Sequence, residues 1–266
     1  MDTVTSADGT PIAFDRYGSG PAVILVGGAF QHRAIDPGTA RLARLLAEEF
    51  TVYHYDRRGR GDSGHGASPY SPEREIDDIA AVIAHAGGHA ALYGMSSGAA
   101  LALDAAARRP AVTRVAVYEA PFIVDDTARP HPDDLQPRLE RLVLTDQRDG
   151  AVELFLTEAV GVPREAVAGM QQSPGWAAME SVAHTLAYDI ALLEGTTTGE
   201  PLSPQRWAAV TVPVLVLDGG ASPPSMASAA NALAGVLLDA RRRTLPNQTH
   251  DVDPEVLAPV LREFFR

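Results

Sequence analysis

Neither cysteine nor lysine occurs anywhere in the 266 residues. Without thiols the chain has no disulfide, no thiolate nucleophile and no cysteine-ligated metal. Without lysine no Schiff base can form on the protein, and all 22 basic residues are arginine. No apolar run approaches the roughly 18 residues of a membrane span. The start, Met1-Asp2-Thr3-Val4-Thr5, has no basic stretch leading into an apolar one, so a secretory leader is not expected and a cytoplasmic location is. The acidic excess gives a net charge of −12, which argues against nucleic acid or an anionic membrane as a partner. The apolar fraction of 45% is ordinary for a globular protein, and the length suits one large α/β domain or two small ones.

What is present is concentrated at Ala90-Ala91-Leu92-Tyr93-Gly94-Met95-Ser96-Ser97-Gly98-Ala99-Ala100-Leu101. A short apolar run, the pattern G-x-S-x-G and a small-residue helical stretch follow one another, in the order strand, tight turn, helix. Such a turn holds its central serine in a strained backbone conformation. Gly94 and Gly98 suit it, because a Cβ two residues either side of Ser96 would collide with the turn or the neighbouring helix. The hydroxyl is lifted clear of the sheet, and the free N–H groups of the helix start face the reacting oxygen.

Elsewhere strand and helix patterns alternate. Residues 3–6 and 10–15 suit a hairpin around Ala7-Asp8-Gly9. Ala22-Val23-Ile24-Leu25-Val26 is continuously apolar, as a strand buried on both faces of a parallel sheet requires. Further strands are expected at 51–55, 90–93, 114–118, 214–217 and 242–245. Helices are expected at 41–50, from Pro72 onward, and at 97–109, 225–237 and 254–265. This alternation predicts an α/β fold, a mostly parallel sheet flanked by helices. Between 121 and 211 only helical patterns occur, at 135–143, 151–158, 164–171 and 177–194. Residues 121–211 are therefore expected to be a helical cap inserted into a core of 1–120 and 212–266, its inner face shaping a substrate pocket.

Four motifs in order make the chain resemble the α/β-hydrolase superfamily over essentially its whole length. They are the turn Gly27-Gly28-Ala29-Phe30, the loop Tyr55-Asp56-Arg57-Arg58-Gly59-Arg60-Gly61-Asp62-Ser63-Gly64, the elbow at Ser96, and Thr249-His250-Asp251 before the final helix. The resemblance implies the α/β-hydrolase fold, Ser96 as nucleophile and His250 as general base. Chemistry makes the same demand, since a serine hydroxyl needs an imidazole within hydrogen-bond reach to take its proton. The resemblance also implies an oxyanion hole formed by the N–H groups of Ala29 and Ser97.

The triad acid departs from the family pattern, which puts an aspartate a few residues past the penultimate strand. Here Leu217-Asp218-Gly219-Gly220-Ala221-Ser222-Pro223 places Ser222 there. Glu119, at the end of the preceding strand, is similar to the acid of those haloalkane dehalogenases that carry it at that earlier place. It is the favoured candidate, with Asp218 as the alternative. Phe30, Gln31, His32, Trp176 and His184 are weaker pocket candidates, the last two from a stripe with Met179 and Tyr188 at helical spacing. Asp56, Arg57, Arg58 and Asp62 suit a salt-bridged structural loop, and Asp251 and Asp253 suit a cap for the last helix. The other histidines lack metal-ligand spacing, so neither a metal nor a cofactor is expected.

The implied function is hydrolysis, through an acyl-enzyme, of an ester, thioester or lactone of a small, largely apolar molecule. Dehalogenases and epoxide hydrolases resembling this fold use an aspartate nucleophile, and Ser96 argues against both. A cofactor-free haloperoxidase or perhydrolase, a biosynthetic cyclase or lyase, and a silent ligand-binding protein remain as alternatives.

Overall fold

A computed structural model describes residues 1–66, 69–109 and 111–266. Its strands are β1 (Asp2–Thr5), β2 (Pro11–Tyr17), β3 (Ala22–Val26), β4 (Thr51–Tyr55), β5 (Ala90–Met95), β6 (Val112–Tyr118), β7 (Val214–Gly219) and β8 (Ala240–Leu245). They form one sheet in the order β1-β2-β4-β3-β5-β6-β7-β8. The hairpin β1–β2 and the β2–β4 pair are antiparallel, and every pair from β4 across to β8 is parallel. The α/β-hydrolase fold is thus the one the sequence implied.

Side-chain alternation explains the continuous apolar runs. In β3, Val23 and Leu25 join Leu42 and Leu46 of α1 (Pro37–Leu46) and Leu257 and Leu261 of α10 (Pro254–Phe265). Ile24 and Val26 face the other way, toward Ile76 and Ile79 of α2 (Pro72–His85), Leu101 of α3 (Ser97–Arg108) and Leu233 of α9 (Pro224–Val236). With helices on both faces, each aliphatic side chain buried this way contributes about 1.5–3 kcal/mol, whichever direction it points. The first helix starts earlier than the periodicity over 41–50 suggests. The Asp36 carboxylate accepts the Thr39 N–H at 2.9 Å, and Pro37 occupies the first turn, where its missing N–H costs nothing.

Between β6 and β7 the chain is helical: α4 (Leu135–Leu144), α5 (Arg148–Leu154), α6 (Arg164–Met170), α7 (Gly175–Ser181) and α8 (Leu186–Leu192). The single helix expected over 177–194 is broken after Ser181. There the Ser181 hydroxyl donates to the Ala178 carbonyl at 2.6 Å and the Thr185 hydroxyl to the Val182 carbonyl at 2.8 Å, so side chains take acceptors from the helical ladder. A π-helical turn, Phe155–Ala159, follows α5 and carries Phe155 edge-on to Phe30, with ring centroids 5.4 Å apart. No helix among the described residues is long and apolar enough to cross a membrane.

Candidate active site

Ser96 lies between β5 and α3 with φ 55° and ψ −127°. Close approach explains the flanking glycines. A Cβ on Gly94 would sit 2.4 Å from the Gly98 carbonyl oxygen, and one on Gly98 only 2.3 Å from that of Val26. The second obstacle is therefore the end of β3, not the neighbouring helix. The Ser96 Cβ faces the turn after β3, since a side chain on Gly28 would begin 2.8 Å from it. Phe30 (φ 63°) and Glu119 (φ 45°) share the left-handed conformation, so three of the five such non-glycine residues described converge here. Each costs on the order of 1–3 kcal/mol and persists only where the surroundings over-determine it.

Glu119 follows β6 and its side chain is fully buried. One carboxylate oxygen accepts the Gly219 N–H at 2.8 Å, and the other lies 2.8 Å from Nδ1 of His250. Burial on its own would raise the pKa of Glu119. Hydrogen bonding from His250 and the Gly219 N–H, with the Ser222 hydroxyl close by, outweighs it and holds the carboxyl below its ordinary value. Ser222, at the family's usual acid position, completes no hydrogen bond of ordinary geometry from its buried hydroxyl. With Nδ1–H assigned as the donor to Glu119, Nε2 of the half-exposed His250 is left as a proton acceptor.

Asp218 is turned to other work. Its carboxylate takes Arg242 through two bonds at 3.0 and 2.9 Å and the Thr244 hydroxyl as well, which ties β7 to β8. Glu119, not Asp218, therefore meets His250. Tyr118 is a residue the sequence reading missed. Its carbonyl accepts the Ser96 N–H at 3.0 Å and its hydroxyl donates to the Thr249 carbonyl at 2.5 Å. One buried tyrosine thus joins the serine turn to the histidine loop, and within an apolar strand nothing marked it out.

The turn after β3 is held from several sides. Gln31, expected to face a pocket, instead accepts the Gly28 N–H at 2.6 Å and donates to Asp36 at 2.8 Å. It is a strut of the turn. His32 is buried, which lowers its pKa, and its carbonyl accepts the N–H groups of Ile35 and Asp36. The N–H groups of Ala29 and Ser97 have no acceptor among the described residues. Such donors are free to be taken by water or by a ligand oxygen. Ala29 and Phe30 pack against the apolar cluster of the helices between β6 and β7, which includes Phe155, Leu156 and Trp176. The break after Ser181 divides the supposed stripe. Trp176 stays in that cluster, His184 meets the Gly59 carbonyl at 2.7 Å, and Tyr188 stacks on Tyr70.

Beneath the site lies a buried ionic network. Arg57 makes a two-bond pair with Glu75 at 2.7 and 2.6 Å, and both Arg57 and Arg60 reach Asp189 of α8 at 2.6 Å. Arg58 pairs with Asp78 and Asp8, and Asp56 and Asp62 with Arg33, so this loop is salt-bridged throughout. Asp253 caps α10 by accepting the Glu255 N–H at 2.9 Å.

A profile of the alpha/beta hydrolase family matches residues 23–260, and the chain belongs to that family. An alpha/beta hydrolase of known structure from Sphaerobacter thermophilus is 54% identical, with a TM-score of 0.91 and complete coverage of both chains. A 2-(acetamidomethylene)succinate hydrolase from Mesorhizobium japonicum is 29% identical over 93% of this chain and 88% of its own length. A pimeloyl-[acyl-carrier protein] methyl ester esterase from Chromobacterium violaceum is 32% identical over 53% of each. Its named relatives are hydrolases and esterases, which supports hydrolase activity in general terms.

Proposed function

We propose that this protein is a serine hydrolase that cleaves a carboxylic ester, thioester or lactone of a small, largely apolar substrate. Ser96 Oγ attacks the carbonyl carbon while Nε2 of His250 takes its proton. Glu119 holds the imidazole in the tautomer that leaves Nε2 free and stabilises the imidazolium that forms. The oxyanion accepts from the N–H groups of Ala29 and Ser97. Collapse of the tetrahedral intermediate releases the alcohol or thiol, which takes the proton from His250. Water, deprotonated by the same imidazole, then attacks the acyl-enzyme, the acid leaves, and Ser96 recovers its proton. Residues 121–211 act as a cap whose Phe155 and Trp176 give the acyl side its apolar lining.

The observation that carries this reading is the 2.8 Å contact between His250 and a buried Glu119, whose chain neighbour Tyr118 accepts the N–H of the strained Ser96. The test is turnover of p-nitrophenyl acetate, a phenyl thioacetate and a γ-lactone by the wild type and Ser96→Ala. Turnover of at least one substrate, an acetyl-enzyme trapped at Ser96 by acid quench and no activity in Ser96→Ala would support it. Equal hydrolysis by Ser96→Ala would rule it out.

A further inference from the structure

Asp189 is fully buried, and three donors meet its two oxygens. Arg57 Nη1 and the Ser97 hydroxyl both reach Oδ1 at 2.6 Å, and Arg60 Nη2 reaches Oδ2 at 2.6 Å. We propose that Asp189, acting through Ser97 and Arg60, is a positioning residue that sets both donors of the oxyanion hole from the helical insertion. This inference rests on the serine-hydrolase reading above.

The geometry runs along two branches. Arg60, with one nitrogen on Asp189 and Nε on the Thr185 hydroxyl at 3.0 Å, donates its remaining Nη1 to the Gly28 carbonyl. That carbonyl and the Ala29 N–H belong to one planar trans peptide unit, in which they point in opposite directions. A guanidinium fixed on the oxygen therefore fixes the direction of the N–H. It also polarises the peptide, which makes the N–H a stronger donor. Arg57 adds a longer contact to the Gly27 carbonyl at 3.4 Å.

On the second branch the Ser97 side chain is anchored to Asp189, and the N–H of that same residue is the other donor. Charge balance alone accounts for Asp189 beside two arginines, because Arg57 and Arg60 are matched by Glu75 and Asp189. It does not account for the hydroxyl contact. Nor does it explain why this carboxylate is tied, directly or through Arg60, to both segments that carry the N–H groups assigned to the oxyanion. Asp189 also stays ionised. Burial would raise its pKa, but Arg60, Arg57 and the Ser97 hydroxyl lower it overall.

The test compares Ser97→Ala and Asp189→Asn with the wild type in three measurements. These are kcat and KM with p-nitrophenyl acetate, the inhibition constant of phenylboronic acid, and intact mass after a fluorophosphonate. The boronic acid reports the hole directly. The Ser96 oxygen shares a lone pair with the empty boron orbital, its proton passes to His250, and the tetrahedral adduct places a B–O in the oxyanion position. Since removal of a whole oxyanion donor costs on the order of 10²–10³ in rate, misdirecting one through Ser97→Ala should lower kcat about 10-fold. KM should stay within about two-fold, and boronate affinity should fall with kcat. Asp189→Asn, which disturbs both branches, should lose on the order of 100-fold. The double variant should be little worse than Asp189→Asn, because one branch runs through the other residue.

A purely structural role would lower thermal stability and leave boronate affinity unchanged. The proposal is overturned if kcat and boronate affinity in folded Ser97→Ala stay within about two-fold of wild type. Should Asp189→Asn fail to fold, Ser97→Ala alone decides. A wild type that takes no fluorophosphonate overturns the serine-hydrolase reading and this inference with it. A labelled wild type with unaffected variants overturns this inference alone.

Discussion

Replacing Glu119 by Gln changes one oxygen to an amino group and almost nothing in size, yet no orientation of the new side chain serves both neighbours. If the amide oxygen stays on the Gly219 N–H, the NH₂ faces Nδ1 of His250. Nδ1 must then accept, the ring proton moves to Nε2, and the imidazole can no longer act as a base toward Ser96. If the amide flips, its NH₂ meets the Gly219 N–H, and the two buried donors cost about 1–3 kcal/mol. Either way the imidazolium loses its counter-charge. The expected loss in kcat is on the order of 10³–10⁴, equivalent to about 4–5.5 kcal/mol of transition-state stabilisation. Stability should fall by about 1–3 kcal/mol for the lost charge-assisted bond, a few degrees in Tm for a chain of this size. The assay is kcat for p-nitrophenyl acetate beside a thermal melt on the same preparation. A folded Glu119→Gln protein that keeps kcat within about ten-fold of wild type would refute the tautomer reasoning.

Other expectations test separate contacts. Asp218→Asn should leave kcat nearly unchanged and lower stability by about 1–2 kcal/mol, discounted because Arg242 is partly exposed; a large loss of activity with an unchanged melt would return Asp218 to the triad. Tyr118→Phe removes the tie to the Thr249 carbonyl and should lower kcat several-fold as the His250 loop loosens, which steady-state kinetics will show. Gly98→Ala drives a methyl into the Val26 carbonyl and should cost about 1–3 kcal/mol or abolish folding, read by denaturant titration. Glu75, Glu119 and Asp189 all have folded pKa values below their unfolded ones. Their stabilisation is therefore complete above about pH 5 and is lost as pH falls through the folded values, with Asp78, raised by burial, opposing in part. His32, His54, His131 and His184 are held below their ordinary value of 6.5 by burial, so Tm should already decline as pH falls through about 6.5 and drop further below about 4; a rise on acidification would contradict these shifts.

The sheet and the serine turn were legible because their causes are local. Two-sided burial requires a run such as 22–26, and a strand-to-helix turn with no room for side chains requires Gly94 and Gly98. The carboxylate that meets His250 was harder, since Glu119 and Asp218 lie at the ends of neighbouring parallel strands and look alike in sequence. What separates them is tertiary. The β7–β8 register brings Asp218 opposite Thr244 with Arg242 in reach, whereas Glu119 meets a histidine 131 residues away. The single helix read over 177–194 concealed the break after Ser181, and with it the divergence of Trp176, His184 and Tyr188. Asp189 lay in that same stretch without a motif. Its meaning depends on Arg57, Arg60 and Ser97 arriving from elsewhere in the chain, which no local pattern records. Gln31 was misjudged for a similar reason, because a polar residue beside a candidate oxyanion turn reads the same whether it faces a ligand or braces the turn.

The claim on which everything else depends is that Ser96 is activated by His250. The most direct test is intact mass after brief exposure to a fluorophosphonate, with Ser96→Ala and His250→Ala treated in parallel. A single adduct on the wild type, none on Ser96→Ala and greatly slowed labelling of His250→Ala is the predicted result. A wild type left unmodified, or labelled as fast in His250→Ala as in the wild type, would contradict it.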